Sequence, residues 1–184
     1  MKLVVAITGA SGSLYAQRLL ELLGRDGSHD VCVALSRHAR EVAEAEVGKL
    51  AIPQGFAVYD DVSMQVPFVS GSAKFDAMVI VPCSMGTLGR IAHGYSDSAI
   101  ARAADVFLKE KRKLILVPRE TPWNLIQARN VVTLLEAGAE ILPAIPSFYH
   151  RPQTVLDVVD TVVARILDHL GLEHGLGKRW MEKE

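Results

Sequence analysis

The chain has 184 residues, of which 49% are hydrophobic and 22% are charged, and its formal net charge is −1 at pH 7. This length suits a single domain with a full core. The near-zero charge provides no general attraction for nucleic acid or anionic membranes, so neither is expected as a partner. No apolar run approaches the ~18 residues of a membrane span.

The cysteines and histidines of the chain are scattered. Cys32 and Cys83 lie in separate apolar runs, which predicts reduced thiols in a cytoplasmic protein rather than a disulfide or a metal pair. The six histidines form no HxH or HExxH group. We therefore expect no protein-bound metal.

The first predicted strand covers residues 2–7 and is rich in valine and isoleucine, as buried parallel strands are. It breaks at Gly9-Ala10-Ser11-Gly12, and an amphipathic helix is predicted over 12–23. Free N–H groups and the helix dipole converge at such a strand–turn–helix junction. This turn is therefore a candidate anion site.

The rest of the chain alternates between strand and helix patterns. Further strands are predicted over 31–35, 56–59, 76–82, 113–117 and 140–144, and helices over 38–48, from 86 onward, from an N-cap at Ser96 or Asp97 to 109, over 122–136 and over 153–170. This order predicts an α/β fold with a three-layer, doubly wound parallel sheet in one domain, residues 1–170. A tail, 171–184, is expected to lie over the site or a subunit interface. The apolar loop 64–69 is expected to cover a site or to contact another subunit.

In a doubly wound sheet, ligands bind beyond the carboxyl ends of the strands. Five predicted strands deliver hydroxyl, glycine or charged residues there, at positions 8–11, 36, 83–87, 119–120 and 147–149. The first turn lacks the G-x-G-x-x-G pattern, and the second strand ends in Ser36-Arg37 rather than in an acidic residue. NAD is therefore disfavoured, NADP stays open through Arg37, and a mononucleotide with its phosphate at 84–87 fits better.

Five segments together resemble the UbiX-type flavin prenyltransferases. They are Gly9-Ala10-Ser11-Gly12, Pro82-Cys83-Ser84-Met85-Gly86-Thr87-Leu88, Arg102-Ala103-Ala104-Asp105-Val106, Val117-Pro118-Arg119-Glu120-Thr121-Pro122 and Pro146-Ser147-Phe148-Tyr149-His150. The resemblance covers residues 2–170 and implies a flavodoxin-like (Rossmann-like) fold and a homododecamer. It also implies transfer of a dimethylallyl group from dimethylallyl monophosphate to N5 and C6 of reduced FMN. The product, prenylated FMN, would serve a UbiD-type decarboxylase.

The resemblance also implies roles for individual residues. FMN would be held by Gly9, Ala10, Ser11, Ser36, Ser84, Met85, Gly86, Thr87 and Arg119. Ser11 and Glu46 would manage the proton at N5, and Glu120 would transfer a proton beside the donor phosphate. Dimethylallyl phosphate would be bound by Arg102, Lys109, Tyr149 and Arg165, some of them from a neighbouring subunit, with Trp180 over the prenyl site. No metal is implied, since cationic side chains can neutralise a monophosphate.

Each of these residues also has a purely structural interpretation. Ser11 could be only the helix N-cap, and Glu46 ends a helix where its charge would oppose the dipole. Lys109 and Arg165 could be solvated surface charges.

Two other functions are also open. One is an FMN-dependent decarboxylase of a cysteine-containing substrate on a related fold, although such families have a Pro-x-Met-Asn-type segment where this chain has Pro118-Arg119-Glu120-Thr121-Pro122. The other is a carrier that only delivers flavin.

Overall fold

A computed structural model describes residues 1–177 of the chain. Its centre is a six-stranded sheet in the order β3-β2-β1-β4-β5-β6, and every neighbouring pair is parallel. The strands are β1 (Lys2–Ile7), β2 (Asp30–Leu35), β3 (Ala57–Asp60), β4 (Ala77–Cys83), β5 (Lys113–Pro118) and β6 (Glu140–Ile141). The helices are α1 (Ser13–Asp26), α2 (Arg37–Val47), α3 (Met85–Ala92), α4 (Ala99–Lys109), α5 (Leu125–Glu136) and α6 (Val155–Leu170).

Alternate residues of each central strand enter two separate cores. In β1, Leu3, Val5 and Ile7 face the core shared with α1 and α6, whereas Val4 and Ala6 face the core shared with α3, α4 and α5. This alternation is what a strand buried on both faces requires. The predicted three-layer, doubly wound, flavodoxin-like fold is confirmed.

The strand order reverses between β1 and β4, which lie side by side at the centre of the sheet. At such a switch point the connections leave in opposite directions and open a space at the carboxyl ends of the strands. The turns after β1 and β4 therefore form the natural floor of a ligand site.

Two predicted helix starts were wrong. The cap of α4 is Ser98, whose hydroxyl accepts from the Ala101 N–H at 3.3 Å, rather than Ser96 or Asp97. Helix α5 begins at Leu125 instead of 122, because Asn124 and Gln127 form a reciprocal capping box. The last strand is also shorter than predicted and covers only Glu140–Ile141.

Part of the apolar loop 64–69 packs on its own chain, and the expectation that the loop covers a site or contacts another subunit stays a prediction. Val66 and Phe68 are buried in the core shared with α3 to α5. Phe68 makes edge-to-face contacts with Tyr59 and Phe75 at ring-centroid distances of 5.5 and 6.2 Å. None of the helices within residues 1–177 is long and apolar enough to cross a membrane.

Candidate functional site

The turns after β1 and β4 are fastened to each other by Thr8, which is 2% exposed. Its hydroxyl donates to the Pro82 carbonyl oxygen and accepts from the Ser84 N–H, both at 2.8 Å. A buried side chain thus fixes the spacing of the two turns at the switch point. We call residues 8–12, 36, 84–87 and 119–120 the strand-end site.

The turn after β1 lies tightly against the start of α2. A Cβ added to Gly9 would lie 2.5 Å from the Cβ of His38, a distance that real Cβ contacts do not reach. Ser36 caps α2, since its hydroxyl accepts from the Ala39 N–H at 3.2 Å, and its own N–H donates to Ile7 at 3.0 Å. Among the described residues, nothing accepts the hydroxyl hydrogen of Ser36, so it remains available for a ligand.

The N-terminus of α1 binds a carboxylate of its own chain. The N–H groups of Gly12 and Ser13 donate to the Glu46 carboxylate at 2.9 and 2.7 Å. The cap position is Gly12 at φ 115°, so the interpretation of Ser11 as the N-cap is wrong. Glu46 also does not simply oppose the dipole of its own helix, because its carboxylate lies at the positive end of α1.

The pKa of Glu46 is lowered from its ordinary value of 4.5. Burial alone would raise this pKa, but hydrogen bonds from the Ser11 hydroxyl and from the N–H groups of Gly12 and Ser13 outweigh it. Glu46 is therefore ionised at neutral pH and in contact with Ser11.

The N-terminus of α3 is open by comparison. The Ser84 hydroxyl accepts from the Thr87 N–H at 3.3 Å and lies 3.0 Å from the Thr87 hydroxyl. Within residues 1–177, the N–H groups of Met85 and Gly86 have no hydrogen-bond acceptor. A Cβ added to the exposed Gly86 would meet nothing closer than an Arg90 guanidinium nitrogen at 3.5 Å. Free N–H groups, two hydroxyls and a cation make this helix start suitable for a phosphate.

Arg119 connects the end of β5 to the turn after β1. Its Nε donates to the Ser11 carbonyl oxygen at 3.0 Å. The neighbouring Glu120 is exposed; its carboxylate accepts from the Thr121 N–H at 3.0 Å, and its carbonyl accepts from Trp123 Nε1 at 2.9 Å. A cation and a carboxylate therefore stand together beside the Ser11 turn.

Two residues of this region were missed by the sequence analysis. Half-buried Tyr15 lies against Gly12, and its burial raises the pKa of the phenol while the Arg119 charge lowers it. Arg90 stands one helical turn after Gly86. Arg90 could have been found, because residues four apart on a helix share a face and Arg90 follows Gly86. Ser11 precedes α1, so the same spacing gives no signal for Tyr15.

The thiol next to the site is not a nucleophile. Cys83 is buried and forms the end of β4. Burial raises the pKa of its thiol to about 12, so it stays protonated at neutral pH. In the described part of the chain, no three histidine, cysteine or acidic side chains are grouped to hold a metal ion.

The residues expected to bind the donor phosphate do not all meet in one chain. Arg102 lies in the first turn of α4 and pairs with Asp105 at 2.9 Å. Lys109 ends α4 immediately before β5 begins and pairs with Glu110. It therefore lies at the amino edge of the sheet, opposite the strand-end site.

Arg165 also lies away from the strand-end site. Arg165 pairs with Asp168 at 2.6 Å, and the adjacent His169 carbonyl accepts from Lys113 at the start of β5, so Arg165 lies toward the amino edge. Tyr149 follows β6 and is 79% exposed. Trp180 lies outside the described residues.

Comparisons with known proteins agree with this fold. Residues 1–167 match the Flavoprotein family model. A flavin prenyltransferase UbiX of Methanocaldococcus jannaschii is 46% identical over 187 residues, which cover 98% of both chains.

Two solved structures are similar over nearly their whole length. A dodecameric FMN-dependent UbiX-like decarboxylase from Escherichia coli O157:H7 has a TM-score of 0.94 and 39% identity, covering 99% of this chain and 100% of that one. AnUbiX in complex with FMN and dimethylallyl pyrophosphate has a TM-score of 0.92 and 37% identity, covering 100% and 98%. A PPC decarboxylase is only 20% identical, with a TM-score of 0.61 and coverage of 83% and 85%, and so shares the fold alone. The chain belongs to the UbiX flavin prenyltransferase family.

Proposed function

We propose that the protein joins a dimethylallyl group from dimethylallyl monophosphate to N5 and C6 of reduced FMN and so produces prenylated FMN. The observation that carries this proposal is the open anion site at α3 beside the Ser11 turn, in a chain that is 46% identical to a flavin prenyltransferase. The alternative of an FMN-dependent decarboxylase of a cysteine-containing substrate has less support, because the PPC decarboxylase shares only the fold.

The residues of the strand-end site fit FMN. The N–H groups of Met85 and Gly86, with the hydroxyls of Ser84 and Thr87, would hold its phosphate, since they offer unpaired donors at a helix N-terminus. The remaining contacts would come from residues around the first turn and the end of β5, namely Gly9, Ala10, Ser11, Ser36 and Arg119.

Reduced FMN would supply the electron-rich ring positions that attack the allylic carbon. Ser11 and Glu46 would handle the proton at N5, because the Ser11 hydroxyl is hydrogen-bonded to an ionised carboxylate that can accept a proton through it. The bond to N5 would replace the carbon–oxygen bond of the donor, and the bond to C6 would replace its carbon–carbon double bond, so the allyl unit gains one proton as C6 loses one. Glu120 would transfer these protons beside the donor phosphate. Its exposed carboxylate and its place beside Arg119 support this role.

Loss of phosphate from the donor builds negative charge on the leaving group. This negative charge would be stabilised by hydrogen bonds and positive charge from Arg102, Lys109, Tyr149 and Arg165. Trp180 would shield the allyl group. Since Lys109 and Arg165 lie at the far edge of their own sheet, we propose that neighbouring subunits bring them to the site.

A homododecamer would provide those neighbours, as in the E. coli relative that is described as dodecameric. Exposed apolar side chains of α5 and of the segment after β6 support a subunit interface: Leu125, Ile126, Val132, Leu135, Ile145 and Phe148. We further propose that the protein is cytoplasmic and hands its product to a UbiD-type decarboxylase.

The function is tested by mass spectrometry of the flavin. Anaerobic incubation with reduced FMN and dimethylallyl monophosphate should give a flavin heavier by one C5 unit, and Glu120→Gln should slow its formation while FMN still binds. A flavin of unchanged mass, with an active relative as a positive control, would contradict the proposal. A flavin that binds and is released unchanged would instead support a carrier.

A further inference from the structure

We propose that His174 and Asp168 are positioning residues of the donor-phosphate site: they hold Arg165 and fasten the segment 171–177 toward Tyr149. This inference rests on the proposed function, in which Arg165 and Tyr149 bind dimethylallyl phosphate. It gives His174 an individual role in the C-terminal segment, for which the sequence predicts only a place over the site or a subunit interface.

Each of the two carboxylate oxygens of Asp168 contacts a side chain. Oδ2 accepts from Arg165 at 2.6 Å, and Oδ1 lies 3.2 Å from His174 Nε2. The Asp168 side chain is 19% exposed, whereas that of Arg165 is 59% exposed. A largely buried carboxylate therefore holds an exposed guanidinium in one direction, and Arg165 Nη2 also lies 3.4 Å from His169 Nε2. Within residues 1–177, the other guanidinium N–H groups stay available for a ligand.

The hydrogen bonds of His174 define its tautomer. The Leu176 N–H donates to Nδ1 at 3.2 Å, so Nδ1 is the unprotonated acceptor. Nε2 then carries the hydrogen and donates it to Asp168. The side chain is only 7% exposed, and both ring nitrogens are satisfied in the neutral form. This is a defined contact that couples the segment to Asp168.

The course of the segment links the two donor-binding candidates. Gly171 ends α6 three residues after Asp168, and the chain then turns back. A Cβ added to Gly177 would lie 4.0 Å from the His150 ring, so the segment reaches the residue next to Tyr149. One short stretch therefore touches the neighbours of both Arg165 and Tyr149.

A role confined to folding makes a different prediction from a positioning role. If His174 only stabilises the end of α6, its loss lowers the melting temperature and leaves the affinity for the donor unchanged. If it positions Arg165, its loss weakens donor binding more than it slows turnover, because the charge remains but its direction is no longer fixed.

The test uses the FMN-loaded full chain with the variants His174→Phe and Asp168→Asn. We expect the KM and the calorimetric Kd for dimethylallyl monophosphate to rise roughly fivefold to tenfold. A change of this size corresponds to the loss of one charge-assisted hydrogen bond. The kcat should change less than about twofold, and FMN affinity should stay constant. His174→Gln, which keeps a donor for Asp168, should recover part of the affinity. Glu173→Gln, an exposed neighbour, is the control and should behave as wild type.

Donor KM and Kd values that stay at the wild-type level in both variants, with or without a lower melting temperature, would overturn the inference. Failure of the proposed function gives a different result, since the wild-type chain would then form no heavier flavin. In that case the calorimetric Kd still decides: a wild-type chain that binds no dimethylallyl monophosphate overturns the inference, and a Kd that rises in His174→Phe supports it.

Discussion

The N-termini of α1 and α3 lie side by side at the same sheet edge, and each follows a central strand through a tight turn. At α1, the carboxylate of Glu46 occupies the N–H groups of Gly12 and Ser13. At α3, only the Thr87 N–H is capped, by Ser84, and two N–H groups stay open within the described residues.

This difference shows that a strand–turn–helix junction alone does not define a phosphate site. The helix dipole and the N–H groups are similar at the N-termini of α1 and α3, but the carboxylate of Glu46 neutralises the N-terminus of α1. The α1 end can then present Ser11, already bonded to Glu46, for proton transfer. The α3 end remains for the phosphate.

The largest effect is expected from Gly86→Asp. The new carboxylate has room, since the nearest atom to its Cβ is 3.5 Å away, and it would occupy α3 as Glu46 occupies α1. Repulsion of the FMN phosphate should raise the Kd for FMN by about 100-fold, while the unfolding midpoint changes little. Fluorescence titration measures the Kd, with Gly86→Ser as the uncharged control. An unchanged Kd would mean that α3 does not hold the phosphate.

Thr8→Val should uncouple the two turns. Valine keeps the shape but removes the hydroxyl that joins Pro82 to Ser84, leaving the part-buried N–H of Ser84 unpaired. The free energy of unfolding should fall by about 2 kcal/mol, as measured by denaturant titration. Thr133→Val on the exposed side of α5 is the matched control and should change stability by less than about 0.5 kcal/mol. Equal effects at both positions would rule out a special role for Thr8.

Glu46→Gln should weaken the hold on the N–H groups at the start of α1, with a smaller loss of stability than Thr8→Val. Loss of the charge at the helix start should lower the unfolding free energy by about 1 kcal/mol or less. Because the folded pKa of Glu46 is lowered, its contribution is complete above the ordinary value of 4.5 and is lost as pH falls through the folded pKa. The difference between wild type and variant should therefore vanish in acid. Glu44→Gln, on the same helix, should show no such pH-dependent difference, and a gap that persists in acid would contradict the assignment.

The smallest effect is expected from Asp97→Asn. Asp97 pairs with Arg90 at 3.3 Å, and both side chains are more than half exposed. Releasing Arg90 beside Gly86 should tighten FMN binding about twofold to threefold at low salt and not at high salt. Asp60→Asn, which releases Arg40 from a similar exposed pair, should leave the Kd unchanged. Tightening in both variants would point to a general charge effect.

Much of the fold follows from local patterns in the sequence. Apolar runs predict the six strands, because strands that are buried on both faces consist of consecutive apolar residues. Helical periodicity predicts the helices that cover the two faces of the sheet. The strand ends then predict where Ser84, Arg119 and Glu120 lie. Helix starts were less certain: Ser98 and Asn124 cap their helices through hydrogen bonds that neighbouring polar residues could equally have made.

The contacts that define the site depend on residues far apart in the chain. Glu46 reaches the start of α1 across 34 positions, and Arg119 reaches Ser11 across 108. No local pattern encodes such pairs. The position of Lys109 could have been predicted from the sequence, since a helix between parallel strands runs antiparallel to them and ends at the amino edge of the sheet.

The central claim is that the phosphate of the flavin binds at α3 and not at α1. It is tested most directly by the ratio of riboflavin to FMN dissociation constants in the wild type, Gly86→Asp and Glu46→Gln. The ratio isolates the phosphate contribution. We predict that FMN binds far more tightly than riboflavin in the wild type and in Glu46→Gln, and that the advantage disappears in Gly86→Asp. An advantage that survives in Gly86→Asp and disappears in Glu46→Gln would contradict the account.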